Sequence, residues 1–349
     1  MSKEWQFINL QVAALGGLLF LSLAVTWIIL YYVRLLDHPN ERSSHDVATP
    51  KCGGVGVVTS FVAGVAISQL WGSQYDVEFR TLYALVIPLL IVALISLADD
   101  IHELSPKLRL GVQIVAAMMF MWMVKLLPIT KEAFFSTILM QSLIWAGGLL
   151  WLVGMANAFN FMDGIDGLAA GQALIASIFF AIIQFGANEY FLGFISLVLA
   201  VGCLGFLAFN FPPAKVFMGD VGSVSIGFIL ASLALISFKN NPSLESLLIM
   251  PLLMSNFIFD TVSTFIHRLI KRECLFQAHH SHLYQKFASC GFSQRTVTMT
   301  NYGLAILQGI IVLIFGANDI VLAMSMCVAL QLIYGYLVTL KAKKRQAAK

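Results

Sequence analysis

The sequence is poor in charge. Only 11% of its 349 residues are Asp, Glu, Lys or Arg, against roughly 25% in an ordinary soluble domain. Hydrophobic residues make up 59% and the mean hydropathy is +0.85. A water-soluble fold could not hide that much apolar surface, so a membrane class follows before any motif is read. Cysteine is scarce too. Cys52, Cys203, Cys274, Cys290 and Cys327 are scattered, odd in number and form no C-x-x-C pair. This argues against a disulfide framework or a structural zinc site and for buried, unreactive thiols. No cleaved signal peptide is expected: the first apolar run, about 10–33, is too long for an h-region, lacks a small-residue cleavage site and reads as the first membrane helix. No repeat of roughly 20–50 residues is visible, and the one biased stretch is the basic C-terminal tail.

What is present is a series of apolar runs long enough to cross a bilayer as helices. They fall at about 8–34, 54–71, 81–98, 108–127, 138–157, 167–186, 190–210, 222–239, 246–268, 297–316 and 319–340. The expected fold is an all-α polytopic membrane protein of about eleven transmembrane helices. It forms one catalytic domain over 1–340, followed by a basic tail at 341–349. The runs at 54–71 and 222–239 are short and glycine-rich, and carry the weakest signal. An odd number of spans puts the termini on opposite sides. With the tail in the cytoplasm, sixteen of the 21 Lys and Arg fall on the cytoplasmic side, the exceptions being Lys3, Arg80, Lys125, Lys131 and Lys239. The positive-inside rule then places the N-terminus in the periplasm.

The inner connections hold nearly all the unusual polar residues, including every histidine: His38, His45, His102, His267, His279, His280 and His282. Four inner segments carry chemistry. Asp99 and Asp100 are adjacent at the C-terminal end of an apolar helix. There the macrodipole disfavours anions, and paired acids need a cation or a partner. Asn157, Asn160, Asp163 and Asp166 follow at three-residue spacing, which gives each like pair a shared face if helical. Their oxygen-only donors suit Mg²⁺ better than Zn²⁺; the plainer reading makes Asp163 or Asp166 an N-cap of the sixth helix. In Lys215-Val-Phe217-Met-Gly219-Asp220-Val-Gly222, Asp220 stands at a helix mouth, and the glycines are expected to free backbone N–H groups for phosphate. The fourth segment holds His267, Arg268, Lys271 and Arg272, then His279, His280 and His282. It reads as an anion-binding loop, with a polybasic patch for anionic lipid as the plainer alternative. Asp260 lies within the ninth apolar run, where an acid is a functional candidate or a structural pairing. A Mg²⁺ site, a phosphate-binding cation cluster and a carboxylate pair at headgroup level fit phosphoryl transfer onto a lipid phosphate.

These stretches resemble the polyprenyl-phosphate N-acetylhexosamine-1-phosphate transferase family. That family includes the initiating enzymes of O-antigen and enterobacterial common antigen synthesis and the muramoyl-pentapeptide translocase. The matching residues are Asp37-His-Pro-Asn-Glu-Arg42-Ser-Ser-His45 with Thr49-Pro50 and Gly53-Gly54, Asp99-Asp100 with Ser105-Pro-Lys107, Asn157 to Gly167, Val216 to Asp220, and the histidine loop. The resemblance implies a bacterial inner-membrane enzyme with its active site facing the cytoplasm. It would transfer an N-acetylhexosamine 1-phosphate from a UDP-N-acetylamino sugar to undecaprenyl phosphate, releasing UMP and starting O-antigen or another envelope polysaccharide. It further implies Mg²⁺, or Mn²⁺ in its place, on Asn160 and Asp220. Asp99 and Asp100 would lie near the lipid phosphate and Asp163 and Asp166 near the nucleotide sugar. Phe217 would stack on uracil, and Arg268, His279, His280 and His282 would contact diphosphate or sugar. Because a phosphate monoester is already mostly dianionic at neutral pH, Asp99 and Asp100 are expected to orient Lys107 or the metal rather than act as bases. A homodimer is implied, and no nucleic-acid partner. The histidine loop looks more like the O-antigen initiating branch than like the translocase.

The competing class is a lipid-linked sugar transporter or flippase. Transporter acids sit near the bilayer midplane in broken helices of repeated halves; here they line one surface.

Overall fold

The computed structural model describes residues 3–33, 35–37, 48–71, 78–126, 138–273 and 281–347. It is helical throughout apart from a two-residue antiparallel pair, β1 (Leu36–Asp37) and β2 (Thr49–Pro50). The helices are α1 (Lys3–Tyr32), α2 (Val55–Ser68), α3 (Phe79–His102), α4 (Pro106–Val124), α5 (Ile138–Met162), α6 (Leu168–Gly186) and α7 (Tyr190–Asn210). There follow α8 (Asp220–Asn240), α9 (Leu244–Leu253), α10 (Ser255–Ile270), α11 (Leu283–Ser289), α12 (Gln294–Phe315) and α13 (Ile320–Ala347). Among the described residues nine helices are long and apolar enough to cross a membrane, and α9 with α10 makes a bent apolar pair that brings the number to ten if counted as one span. The chain is a polytopic membrane protein. The apolar run at 54–71 is realised as α2 and one 3₁₀ turn, shorter than a full span.

The other weak run, 222–239, turns out to be the centre of the bundle. Helix α8 is the most deeply buried of the spans and packs against α5, α3 and α9. Its Gly222, Ser223, Ser225, Gly227, Ala231 and Ser232 are all buried. Small side chains let neighbouring helix backbones approach closely. The glycines that weaken its hydropathy are therefore what admit it to the middle. Around it, α1, α5 and α13 show large apolar side chains outward, such as Phe20, Leu150 and Ile333. With no water in the hydrocarbon layer, these are lipid-facing positions.

The run at 246–268 is broken by 77° between α9 and α10. Pro251 sits inside α9, where it removes a backbone donor and crowds the preceding turn. The carbonyl of Leu253 at the break accepts from Nε2 of Gln172 at 3.1 Å, and Asn256 Nδ2 donates to Gln172 Oε1 at 2.7 Å. The buried Gln172 amide, itself held by Asn256, thus takes up a carbonyl that a broken helix would otherwise leave unmet in lipid.

Candidate active site

Helix ends from α3, α4, α5 and α8 meet at one end of the bundle. Asp100, in the last turn of α3, accepts the backbone N–H of Asp220 at 3.1 Å and of Val221 at 3.0 Å. It is a cap supplied from another helix. Its charge answers the positive end of the α8 dipole, although it lies at the unfavourable end of its own. Gly219, just before α8, has φ +73°, and a Cβ there would lie 2.7 Å from Asp100 Oδ2. Both the left-handed backbone and the close carboxylate exclude a side chain. Because Asp100 takes the first N–H groups of α8, they are not offered to phosphate, contrary to the sequence expectation. The same holds at Gly53 and Gly54, whose N–H groups donate to the carbonyls of Phe217 and Met218, each at 2.9 Å. A Cβ on Gly54 would fall 2.3 Å from Gly222 Cα. These glycines join two loops rather than cradle an anion.

Asp99 accepts from the backbone N–H of Leu104 at 2.7 Å and forms an ion pair with Arg109. Nη1 of Arg109 also donates to Asp220 Oδ2 at 2.8 Å. On its other oxygen Asp220 accepts Nδ2 of Asn160 at 2.7 Å. The cation held by these acids is Arg109, not Lys107, which is exposed and has no polar partner among the described residues. Helix phase explains the correction. Arg109 continues the buried face of α4 formed by Gln113, Ala116, Ala117 and Phe120, whereas Lys107 lies on the side of exposed Leu110, Gly111 and Met118. A period argument from the buried stripe could have selected Arg109.

Helix α5 runs through Met162, so Asn157 and Asn160 are both helical. They serve different partners: Asn157 Nδ2 donates to Gln113 Oε1 on α4 at 2.7 Å, while Asn160 meets Asp220. Neither aspartate caps the sixth helix. Gly167 holds that position with φ +74° and donates its N–H to Asn210 Oδ1 at 2.9 Å. Asp166 instead accepts the N–H of Ala214 at 2.8 Å and so latches the loop after α7. Asp163 differs from the other acids. It is half-buried, and its side chain has no polar partner among the described residues. Burial, then the charges of Asp220, Asp100 and Asp166, push its carboxyl well above the usual carboxylate range. Beside this group, burial and Asp100 raise the Cys52 thiol to about 12, so it stays protonated and unreactive at neutral pH.

Phe217 is half-buried in the segment before α8 and has its backbone N–H on the Pro50 carbonyl at 2.8 Å. Arg268 is buried, with Nη1 3.5 Å from Glu273. His279, His280 and the Asp37–His45 motif beyond Asp37 lie outside the described residues. His282 is buried, with Nδ1 3.0 Å from Asp260 Oδ1. Asp260 also accepts the N–H of Leu283 at 2.9 Å and of Tyr284 at 3.2 Å. It anchors the start of α11, while Tyr284 reaches the carbonyl of Phe161 at the end of α5, 3.1 Å away. Asp260 is thus the structural pairing of the two alternatives, and Nδ1 of His282 is engaged in that pairing.

A chain in Bacillus subtilis (strain 168), named as a probable undecaprenyl-phosphate N-acetylglucosaminyl 1-phosphate transferase, is 30% identical over 273 residues, covering 76% of this chain and 73% of that relative. The chain belongs to glycosyl transferase family 4. The family's model matches residues 82–238, which run from α3 through α8 and include Asp99, Asp100, Arg109, Asn160, Asp163, Asp166 and Asp220. Two further relatives are similar over most of the chain. The phospho-N-acetylmuramoyl-pentapeptide-transferase of Enterococcus hirae is 28% identical over 76% of this chain and 84% of its own. The undecaprenyl-phosphate alpha-N-acetylglucosaminyl 1-phosphate transferase of Thermotoga maritima is 28% identical over 72% of each.

Proposed function

We propose that this family 4 protein transfers an N-acetylhexosamine 1-phosphate from a UDP-sugar to undecaprenyl phosphate at the cytoplasmic face of a bacterial inner membrane, beginning an O-antigen or related envelope polysaccharide. The observation that carries the reading is the convergence of Asp99, Arg109, Asn160, Asp163 and Asp220 at one end of a membrane bundle. The names of the relatives support the same reaction class.

In this reaction an acceptor phosphate oxygen attacks the β-phosphorus of the UDP-sugar. A new P–O bond forms, the bond to the α-phosphate oxygen breaks, and UMP leaves with that electron pair. No proton need be removed from an acceptor that is already mostly dianionic. Asp99 and Asp100 are committed to Arg109 and to the start of α8, so their work is positioning. Asp99 sets the guanidinium and Asp100 sets the backbone that presents Asp220. Asp163 is the carboxyl left to meet a substrate or a metal. Such a site lowers the barrier through orientation and charge neutralisation.

The donors fit Mg²⁺. Asn160, Asp163 and Asp220 offer hard oxygens, and the crowding that raises Asp163 is relieved by a cation. Among the described residues no three His, Cys, Asp or Glu side chains form a metal cage by themselves. That suits an ion that keeps several waters and completes its shell with substrate phosphates. When bound, it would neutralise charge on the diphosphate; Mn²⁺ would use the same donors.

The test is an assay of purified protein with undecaprenyl phosphate, Mg²⁺ and a panel of UDP-N-acetylhexosamines, following UMP and the lipid product by mass spectrometry. UMP release that needs lipid and metal together is the expected result, and the preferred sugar identifies the donor. A folded protein giving no UMP, no pyrophosphoryl lipid and no UMP exchange with any sugar would overturn the reading.

A further inference from the structure

A cavity of about 320 Å³ lies between α10, α11 and α13, lined by none of the acids described above. Its walls are mostly apolar, with Phe259, Leu283, Leu332 and Tyr336, and its polar edge is formed by His267 and Lys286. Three of the wall hydroxyls are committed internally: Ser263 donates to the Asp260 carbonyl at 3.1 Å, Thr264 to Asp260 Oδ1 at 3.3 Å and Thr339 to the Gly335 carbonyl at 2.7 Å. The side chains of His267 and Lys286 have no polar partner among the described residues. The surroundings share their sign. Lys271 and Arg272 end α10, and Lys341, Lys343, Lys344 and Arg345 lie near the end of α13. The acids among residues 255–273, 281–295 and 331–347 are Glu273 and Asp260, and Asp260 is already tied to His282, Leu283 and Tyr284. Leu332 and Tyr336 are largely exposed, on a helix that faces lipid.

We propose that this cavity binds an anionic glycerophospholipid. Its headgroup phosphate sits between His267 and Lys286, and an acyl chain lies along Phe259, Leu283, Leu332 and Tyr336. The size suits a drug-sized or single-chain ligand, and basic pockets between membrane helices are suited to anionic headgroups. The bound lipid ties α11 to α10 and α13, adding a fastening to the one Asp260 provides. This inference needs the membrane fold and not the transferase reaction.

The test uses the full-length protein in mixed micelles, with native mass spectrometry and thermal unfolding. The probes are phosphatidylglycerol, phosphatidylcholine and inorganic phosphate. Phosphatidylglycerol should bind and raise the melting temperature, with the other two doing neither. Lys286→Gln should weaken that binding about fivefold, and the double variant with His267→Gln further. A Cβ on Gly335 would lie 3.4 Å from Phe259, an ordinary contact, so Gly335→Ala should fold and bind, while Gly335→Leu fills the space and abolishes binding. Several results would overturn the proposal: equal binding by phosphatidylcholine, an equal shift with inorganic phosphate, or unchanged phosphatidylglycerol affinity in the folded charge variants. A rise in KM for undecaprenyl phosphate alone, with phosphatidylglycerol binding unchanged, would do the same by making the cavity part of the acceptor site.

Discussion

Nη1 of Arg109 stands 2.8 Å from Oδ2 of Asp220 while also paired with Asp99, so one guanidinium ties the start of α4 to the end of α3 and the start of α8. Both contacts come from the one Nη1; a lysine carries the same charge, but as a compact, strongly hydrated ammonium on a flexible stem. Arg109→Lys should therefore lower kcat/KM by about tenfold or more, and Arg109→Ala should lose more still. Steady-state UMP release on both variants checks this; a lysine variant with normal activity would remove the bridge from the mechanism.

Asp220→Asn should abolish turnover by at least about 10²-fold in a protein that still inserts and folds. The cap on α8 runs from the Asp100 carboxylate to backbone N–H groups, and these survive the substitution. Monodispersity and an unchanged melting temperature beside the lost UMP signal would separate chemistry from folding.

Asp100 should behave as a cap. Asp100→Ala leaves the N–H groups of Asp220 and Val221 without their acceptor and should cost about 1–2 kcal/mol, with Asp100→Asn in between because it keeps one oxygen. The ordering of melting temperatures, wild type above Asn above Ala, is the readout. An alanine variant as stable as wild type would show that the cap contributes nothing.

The raised carboxyl of Asp163 links stability to pH. Its folded-state value lies well above the ordinary 3.8, so between the two the native state binds more protons than the unfolded chain. Stability then falls as pH rises through that window. Without added metal, wild type should lose stability from about pH 4 upward, and Asp163→Asn should flatten that slope. Thermal melts across pH 4–8 decide it, and added Mg²⁺ should restore wild type more than the variant.

Asp260→Ala strips the acceptor from Leu283, Tyr284 and His282 together, and a lost buried acceptor costs about 1–3 kcal/mol. The segment 267–292 should become cleavable by limited proteolysis while the rest of the bundle stays protected. Equal protection in the variant would show that α11 is held by other contacts.

Much of this was legible in the sequence. Hydropathy located most of the spans, since the bilayer imposes a length, and three of the four polar segments hold the acids and amide that meet at one end of the bundle, Asp99, Asp100, Asn160 and Asp220, while Arg109 lies outside all four. Partnership was not legible. Adjacent Asp99 and Asp100 look alike in sequence, yet one serves a guanidinium and the other a helix end, because successive helical residues point about 100° apart. Gly219 and Gly222 read as a phosphate-binding loop because glycine reports close approach without naming what approaches; here it is the Asp100 carboxylate and the Gly54 backbone. The break after Pro251 was hidden because α9 and α10 together make a continuous apolar stretch.

The most deeply buried span, α8, begins with Asp220 and meets its helical neighbours rather than lipid. Changes in bilayer thickness or lateral pressure therefore reach Asp220 through the lipid-facing helices packed against α8, among them α3 and α5, which themselves carry Asp99, Asp100 and Asn160. The bilayer thus acts on Asp220 at second hand, through helices that face lipid on one side and α8 on the other.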